Sequence, residues 1–434
     1  MSVIKNDPKL INSWCTYDWA NSVYSLTITT AIFPEYFLGI TKNESNGNLV
    51  DFFGFQITNT VLYSWSVSIV FLIAALISPF LTSIADYTGL KKTFMRISCY
   101  IGSLACAALF FLHKENIEFG IIAFVLAGIG YSSSIVFYNS YLPEIATEDQ
   151  FDRISAKGFT WGYIGSVLLL ILNLVGLIFH ETFGITEGFA ARLSFLTVGL
   201  WWLGFAQISF NGLPKVTSKV HSGHILTNGL NELKKVWQVA NKLPLLKRFL
   251  LGFFFYNMGV QTVMYLAPLF AKEVINIDTE SLIATILLIQ LVAIIGAYVL
   301  NRLSNKIGNS NALMAGIGVW ILICLMGYIV QKGLSFYILA ASIGFVMGGI
   351  QSLSRATYSK LIPADTKDHA SFFSFFDVVD KLSVVIGTFS YGLIRQLTGD
   401  MRDSLIALGI YFVISLFFIR LIPSKHIYNT QMPV

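Results

Sequence analysis

The chain has 434 residues, is 55% hydrophobic and only 12% charged, and carries a formal net charge of +5. A soluble domain holds about twice that share of charge, and the apolar residues here come in long runs, so a polytopic membrane protein embedded in a lipid bilayer is expected. The basic residues are spread through short loops instead of gathering in one patch, which speaks against nucleic acid as a partner and for a topology signal.

Twelve segments reach the roughly 20 residues that a helix needs to cross the hydrocarbon: 14–38, 58–84, 94–113, 118–140, 157–180, 189–211, 248–271, 281–303, 311–331, 334–358, 371–395 and 403–422. The first follows a polar start with Lys5 and Lys9 and runs past Phe33 without a small-residue cleavage pattern, so it is expected to remain as a span. In the loop after it, Asn43-Glu44-Ser45 is a glycosylation sequon that matters only in a eukaryotic host. Cys15, Cys99, Cys106 and Cys324 fall in or beside apolar spans without metal-ligand spacing and read as small packing residues. The longest loop, 212–247, sets Ile225, Leu226, Leu230, Leu233, Val236 and Trp237 on one helical stripe, which predicts an amphipathic helix along the inner membrane face. His221 and His224 in that loop are too few for a metal site, and neither metal nor cofactor is expected.

An even number of spans puts both termini on one side. With the termini inside, the inside segments hold 21 Lys and Arg against 7 outside, and Lys381 is left within a span. That excess predicts cytoplasmic termini.

Tyr138-Asn139-Ser140-Tyr141-Leu142-Pro143-Glu144 is echoed 220 residues later by Tyr358-Ser359-Lys360-Leu361-Ile362-Pro363-Ala364. Asp86-Tyr87-Thr88-Gly89 is echoed 219 residues later by Asn305-Lys306-Ile307-Gly308. The chain therefore reads as two tandem copies of one unit: a six-helix bundle over 1–211, a linker over 212–247 and a second bundle over 248–434. This is an all-α architecture of the secondary-transporter kind, with the solute site between the halves.

The turn after the second span reads Asp86-Tyr87-Thr88-Gly89-Leu90-Lys91-Lys92. Gly89 permits a tight turn between two helices, and Asp86 can accept hydrogen bonds from a helix N-terminus or pair with a cation. The run resembles the Asp-x-x-Gly-Arg-Arg/Lys signature of the major facilitator superfamily at its usual position, with Leu90 replacing one basic residue. The resemblance implies a gate in which Asp86, Gly89, Lys91 and Lys92 latch the halves together in the outward-open state. The second copy has Asn305 for the acid, so a weaker latch is expected there. Four further runs stand in order: Asp18-Trp19-Ala20-Asn21-Ser22-Val23-Tyr24, Asp152-Arg153-Ile154-Ser155-Ala156-Lys157-Gly158-Phe159, Tyr256-Asn257-Met258-Gly259-Val260-Gln261-Thr262 and Gln351-Ser352-Leu353-Ser354-Arg355. Together they are similar to the facilitator branch of the fungal vacuolar amino-acid effluxers and their bacterial relatives. That resemblance implies a small polar solute such as an amino acid, export, and the plasma (inner) membrane of a bacterium. Many bacterial members carry an acid where Met258 stands, which puts proton coupling through the seventh span in doubt.

A charge at the bilayer centre costs several kcal/mol and is therefore paired or functional. Asp377, Asp380 and Lys381 lie about 10–16 Å into the eleventh span. Asp377 and Lys381, one turn apart, can neutralise each other, which leaves Asp380 as the spare acid and candidate proton carrier. Asp377 also stands 220 residues after Lys157, so a cross-bundle pair between those two is open. In the superfamily, spans 1, 4, 7 and 10 line the cavity, which makes Asn21, Tyr24, Tyr131, Asn257, Gln261, Gln351 and Arg355 candidate substrate ligands. Helix–helix hydrogen bonding is the alternative for each. Arg355 either clamps a carboxylate bidentately or snorkels to the inner headgroups.

The sequence carries no P-loop and no H-E-x-x-H, so neither an enzyme nor a primary pump is expected. The expectation is a monomeric alternating-access transporter of a small polar solute, with protons as a candidate coupling ion. An exporter of lipophilic compounds and a non-transporting receptor on the same fold are the rivals. Cysteines introduced in the 212–247 loop should resist labelling from outside, whereas one near residue 45 should react; efficient outside labelling of the loop would overturn the topology.

Overall fold

Apolar runs bounded by capping residues set the helix ends in this computed structural model, which describes residues 4–214, 225–363, 366, 368–398 and 400–423. Asp7, Thr186, Asp278 and Asp400 each accept a backbone N–H of the turn that they open, which supplies donors at the helix start with a partner. The first half holds α1 (Pro8–Ile40), α2 (Asn59–Thr88), α3 (Lys91–Ala108), α4 (Ile117–Ser140), α5 (Phe151–Ile178) and α6 (Glu187–Gly212). The second holds α7 (Pro244–Glu273), α8 (Thr279–Ile307), α9 (Asn309–Ile329), α10 (Leu334–Leu361), α11 (His369–Thr398) and α12 (Met401–Arg420). Each predicted span is present. Most ends lie within a few residues, and the largest shifts are at α1, which begins at Pro8 and not at residue 14, and at α5, which begins at Phe151 and not at residue 157.

Among the described residues, eleven helical stretches are long and apolar enough to cross a membrane. The twelfth, α11, has 30 residues and a length of about 45 Å, but it carries Asp377, Asp380 and Lys381. Its place in the bundle is set by packing against α2, α4, α7 and α12. The halves meet where α2 and α4 touch α11 and where α5 touches α8 and α10.

Two local departures from plain α-helix matter. The stretch Tyr24–Ala31 of α1 is wound as a π-helix, wider than its flanks; such segments recur at functional sites. Between α1 and α2, strands β1 (Leu49–Phe52) and β2 (Phe55–Thr58) form an antiparallel hairpin whose two-residue turn, Phe53-Gly54, has φ of 51° and 84°. Positive φ at both positions is the turn that matches strand twist.

Small residues let α8 and α10 approach backbone to backbone. A Cβ on Gly344 would lie 2.3 Å from the Ile289 carbonyl oxygen, and one on Gly348 2.2 Å from that of Ala293. Without a hydrophobic drive between helices in lipid, this Gly-x-x-x-Gly face supplies the close contact. The linker helix spans Ile225–Lys242. It docks across the ends of α2 and α11, with Val236 buried, Trp237 against Phe375, and Lys235 paired with Asp368 at 2.7 Å. His221 and His224 fall outside the described residues.

Candidate functional site

A cavity of about 320 Å³ lies between the halves, walled by α1, α2, α4, α5, α7, α8, α10 and α11. The π-helical stretch of α1 gives it Tyr24, Ser25 and Thr29; α7 gives Tyr256, Asn257, Gln261 and Tyr265; α11 gives Asp377, Asp380 and Lys381. Six of the seven residues singled out as substrate ligands line this one space: Tyr24, Tyr131, Asn257, Gln261, Gln351 and Arg355. Asn21 does not. It is fully buried beside the cavity, and neither side-chain atom has a hydrogen-bond partner among the described residues. Met258 is likewise buried and off the lining.

Arg355 neither snorkels nor stands free. It is 3% exposed, and its partners come from the other half. Nε donates to Ser155 Oγ at 2.9 Å, Nη2 to the Ser155 carbonyl at 2.8 Å, and Nη1 to Asn139 Oδ1 at 3.2 Å and to Asp18 Oδ2 at 3.4 Å. Tyr138 donates its hydroxyl to the same Asp18 oxygen at 2.7 Å. The guanidinium carbon lies 4.2 Å from the Phe159 ring centroid and 4.8 Å from that of Trp14, so cation–π contacts close the box. Gly158 makes the room, since a Cβ there would fall 2.8 Å from the Tyr138 hydroxyl and 2.9 Å from Asp18 Oδ2. Asp18, Asn139, Tyr138 and Ser155 were not among the candidates. The usable signal was Asp18 itself, an acid within the first apolar span, where a charge needs a partner.

Two latches lie at the end of the bundle that carries both termini. Asp86 Oδ2 accepts from the backbone N–H and the hydroxyl of Ser371, both at 2.8 Å, at the start of α11. A carboxylate at a helix N-terminus meets unpaired donors and the positive end of the helix dipole. Gly89 turns the chain with φ 70° and ψ 14°. Lys91 Nζ donates to Glu144 and Lys92 Nζ to the Leu213 carbonyl. The second latch runs with reversed polarity. Asn305 is exposed, and its neighbours Ser304 and Asn309 donate to Asp152 at the start of α5, at 3.2 and 2.8 Å. Lys360 Nζ reaches the same carboxylate at 2.7 Å. The acid has moved from the end of one helix to the start of another, so the expected weaker latch is instead a buried ion pair with two further donors.

On α11 the pairing also differs from the spacing argument. Lys381 Nζ contacts Asp377 Oδ1 at 3.0 Å and Asp380 Oδ2 at 3.1 Å, and Asn257 Nδ2 donates to Asp380 Oδ1 at 2.7 Å. Asp380 is therefore not the spare acid, and on α11 the carboxylate oxygen without a partner among the described residues is Asp377 Oδ2. Lys157 makes no cross-bundle pair with Asp377 and donates to Asn12 Oδ1 at 2.6 Å.

Twelve helices in two repeated bundles, with a polar cavity between them and mirrored latches at one end, define a major facilitator superfamily transporter. The structure matches the fucose transporter FucP in its outward conformation with a TM-score of 0.69 over 96% of this chain and 98% of that one, at 12% identity. It matches the human organic anion transporter MFSD10 equally, at 0.69 over 95% and 100%, at 11% identity. Within the superfamily the chain belongs to the family described as "Vacuole effluxer Atg22 like", whose profile matches residues 6–431. It is 29% identical to the uncharacterized MFS-type transporter YxiO of Bacillus subtilis over 426 residues, 98% of this chain and 97% of that protein. It is 27% identical to autophagy-related protein 22 of Kluyveromyces lactis over 393 residues, 82% of this chain and 77% of that protein.

The reversed latch is testable by thermal unfolding of purified protein. Asp152→Ala removes one partner of a buried pair and should cost about 3–5 kcal/mol, whereas Asn305→Ala should stay within about 0.5 kcal/mol of wild type. Equal destabilisation by the two would contradict this assignment.

Proposed function

We propose that this transporter moves a small polar solute, an amino acid or a metabolite like it, by alternating access and in the direction of export. The cavity carries the reading: amides and hydroxyls from both halves converge on one space large enough for such a solute. The buried polar contacts that join the halves gather at the end bearing the termini, at Arg355, Asp152 and Asp86. At the other end the halves meet through the Glu35–Lys272 pair, whose side chains are 51% and 34% exposed. That asymmetry supports a state sealed at the terminal end, which the positive-inside charge balance assigns to the cytoplasm. Rocking the halves would break the buried contacts and open the cavity inward. Kinship with the vacuole effluxers favours export.

The test is purified protein in liposomes, offered a metabolite panel with and without a pH gradient. Wild type should move at least one amino acid or small polar metabolite, and movement of lipophilic compounds alone would contradict the reading. If protons drive accumulation, the α11 acids carry them. Asp380→Asn should then abolish gradient-driven accumulation. A variant that still concentrates solute in response to the gradient would exclude Asp380 as the coupling group.

A further inference from the structure

We propose that the solute enters the cavity as an organic cation, its protonated amine docking against Asp377 and Asp380; the inference rests on the transport reading above and names the chemistry of that same site. Charge balance is the first observation. The cavity wall carries three carboxylates, Asp18, Asp377 and Asp380, against two cations, Arg355 and Lys381. With all of them ionised, one negative charge is left in an enclosure where an unbalanced charge is costly and draws a partner.

The surplus is located. Asp18 and Arg355 face each other across the halves, so the excess falls on α11. There one lysine is shared by two acids, and Asp377 Oδ2 is buried on the wall with no donor. A carboxylate oxygen is an acceptor only, and an ammonium brings three donors and the missing charge together. Rings stand around the same place. Tyr24 and Tyr131 lie 4.8 Å apart, Tyr265 lies 5.6 Å from Phe71, and Lys381 Nζ is already 5.8 Å from the Phe71 centroid. Aromatic faces stabilise a second cation there in the same way.

A carboxylate finds no equivalent welcome. Arg355 is committed to Asp18, Asn139 and Ser155, and Lys381 to its two acids. In this state the amine is the recognised group, and a carboxylate on the same solute is left to neutral amides and hydroxyls.

Matched probes separate the two groups. Binding of L-leucine, L-leucinamide and N-acetyl-L-leucine, and of the corresponding phenylalanine set, would be measured on the full chain in detergent. The amides keep only the α-amine charge and the N-acetyl forms lose it. The amides should bind at least as tightly as the parent acids, and the N-acetyl forms roughly tenfold more weakly or worse. Asp377→Asn should weaken amide binding roughly tenfold, while Asp377→Glu stays within about threefold. The Glu variant and the melting curves distinguish lost recognition from misfolding. A preference for the N-acetyl forms would overturn the proposal, as would indifference to the amine. So would failure of every amine probe while reconstituted wild type moves a neutral or anionic solute, a result that leaves the transport reading standing. If no solute moves at all, the transport reading itself fails and takes this one with it.

Discussion

A guanidinium buried between two rigid bundles is the constraint on which the rest of this structure depends. Arg355 belongs to the second half, yet its carboxylate, amide, carbonyl and hydroxyl partners all belong to the first. Such a pair gives little net stability relative to apolar packing, but removing or separating one partner is expensive, about 3–5 kcal/mol. The interaction therefore acts less as glue than as a condition. The halves can part at this end only if Arg355 and Asp18 find other partners, and the cavity just beyond them supplies polar groups and space. The aromatic box and Gly158 fit the same condition, because they hold the charges at short range and exclude water.

Duplication sets the frame for this device, and divergence sets its polarity. In the first latch the acid sits in the last turn of α2 and the donors at the start of α11; in the second the acid sits at the start of α5 and the donors at the end of α8 and the start of α9. Both arrangements cross the interface. Their energetic character differs: Asp86 bonds a neutral backbone and hydroxyl, whereas Asp152 pairs with the buried cation Lys360. The seal is thus spread over three sites of unlike chemistry, and a solute can bias it only by binding the two states with different affinity.

The architecture was readable from the sequence because hydrocarbon thickness imposes span length and because tandem echoes such as Pro143 and Pro363 survive divergence. Most cavity-lining candidates were readable for a related reason: an amide, tyrosine or arginine inside an apolar run stands out. Partner choice was not. Spacing along α11 suggested that Lys381 neutralises Asp377 alone, but a lysine side chain is long enough to reach both acids. The repeat suggested Lys157 for Asp377 and a weak second latch at Asn305. Both failed because register within a repeat fixes where a backbone goes and not which way a side chain turns. Asn21 was placed on the cavity by its neighbours in sequence, yet helical rotation carries it into the first bundle's interior. The Arg355 box was hard to read for the complementary reason: apart from Asp18, an acid in an apolar span, nothing marked it, and Asp18 is far in the chain from Asn139 and Ser155, so only packing brings them together.

The account's central claim is that the Asp18–Arg355 contact holds the terminal end shut. Native cysteines are buried, so spin labels can be placed at Arg153→Cys and Asn305→Cys, both exposed and on opposite halves. The distance distribution between them, measured by pulsed electron paramagnetic resonance in lipid, should be dominated by one short population in wild type. Asp18→Asn should add a long population as the unpaired guanidinium leaves its box. An Asp18→Asn distribution indistinguishable from wild type, in a well-folded protein, would contradict the claim.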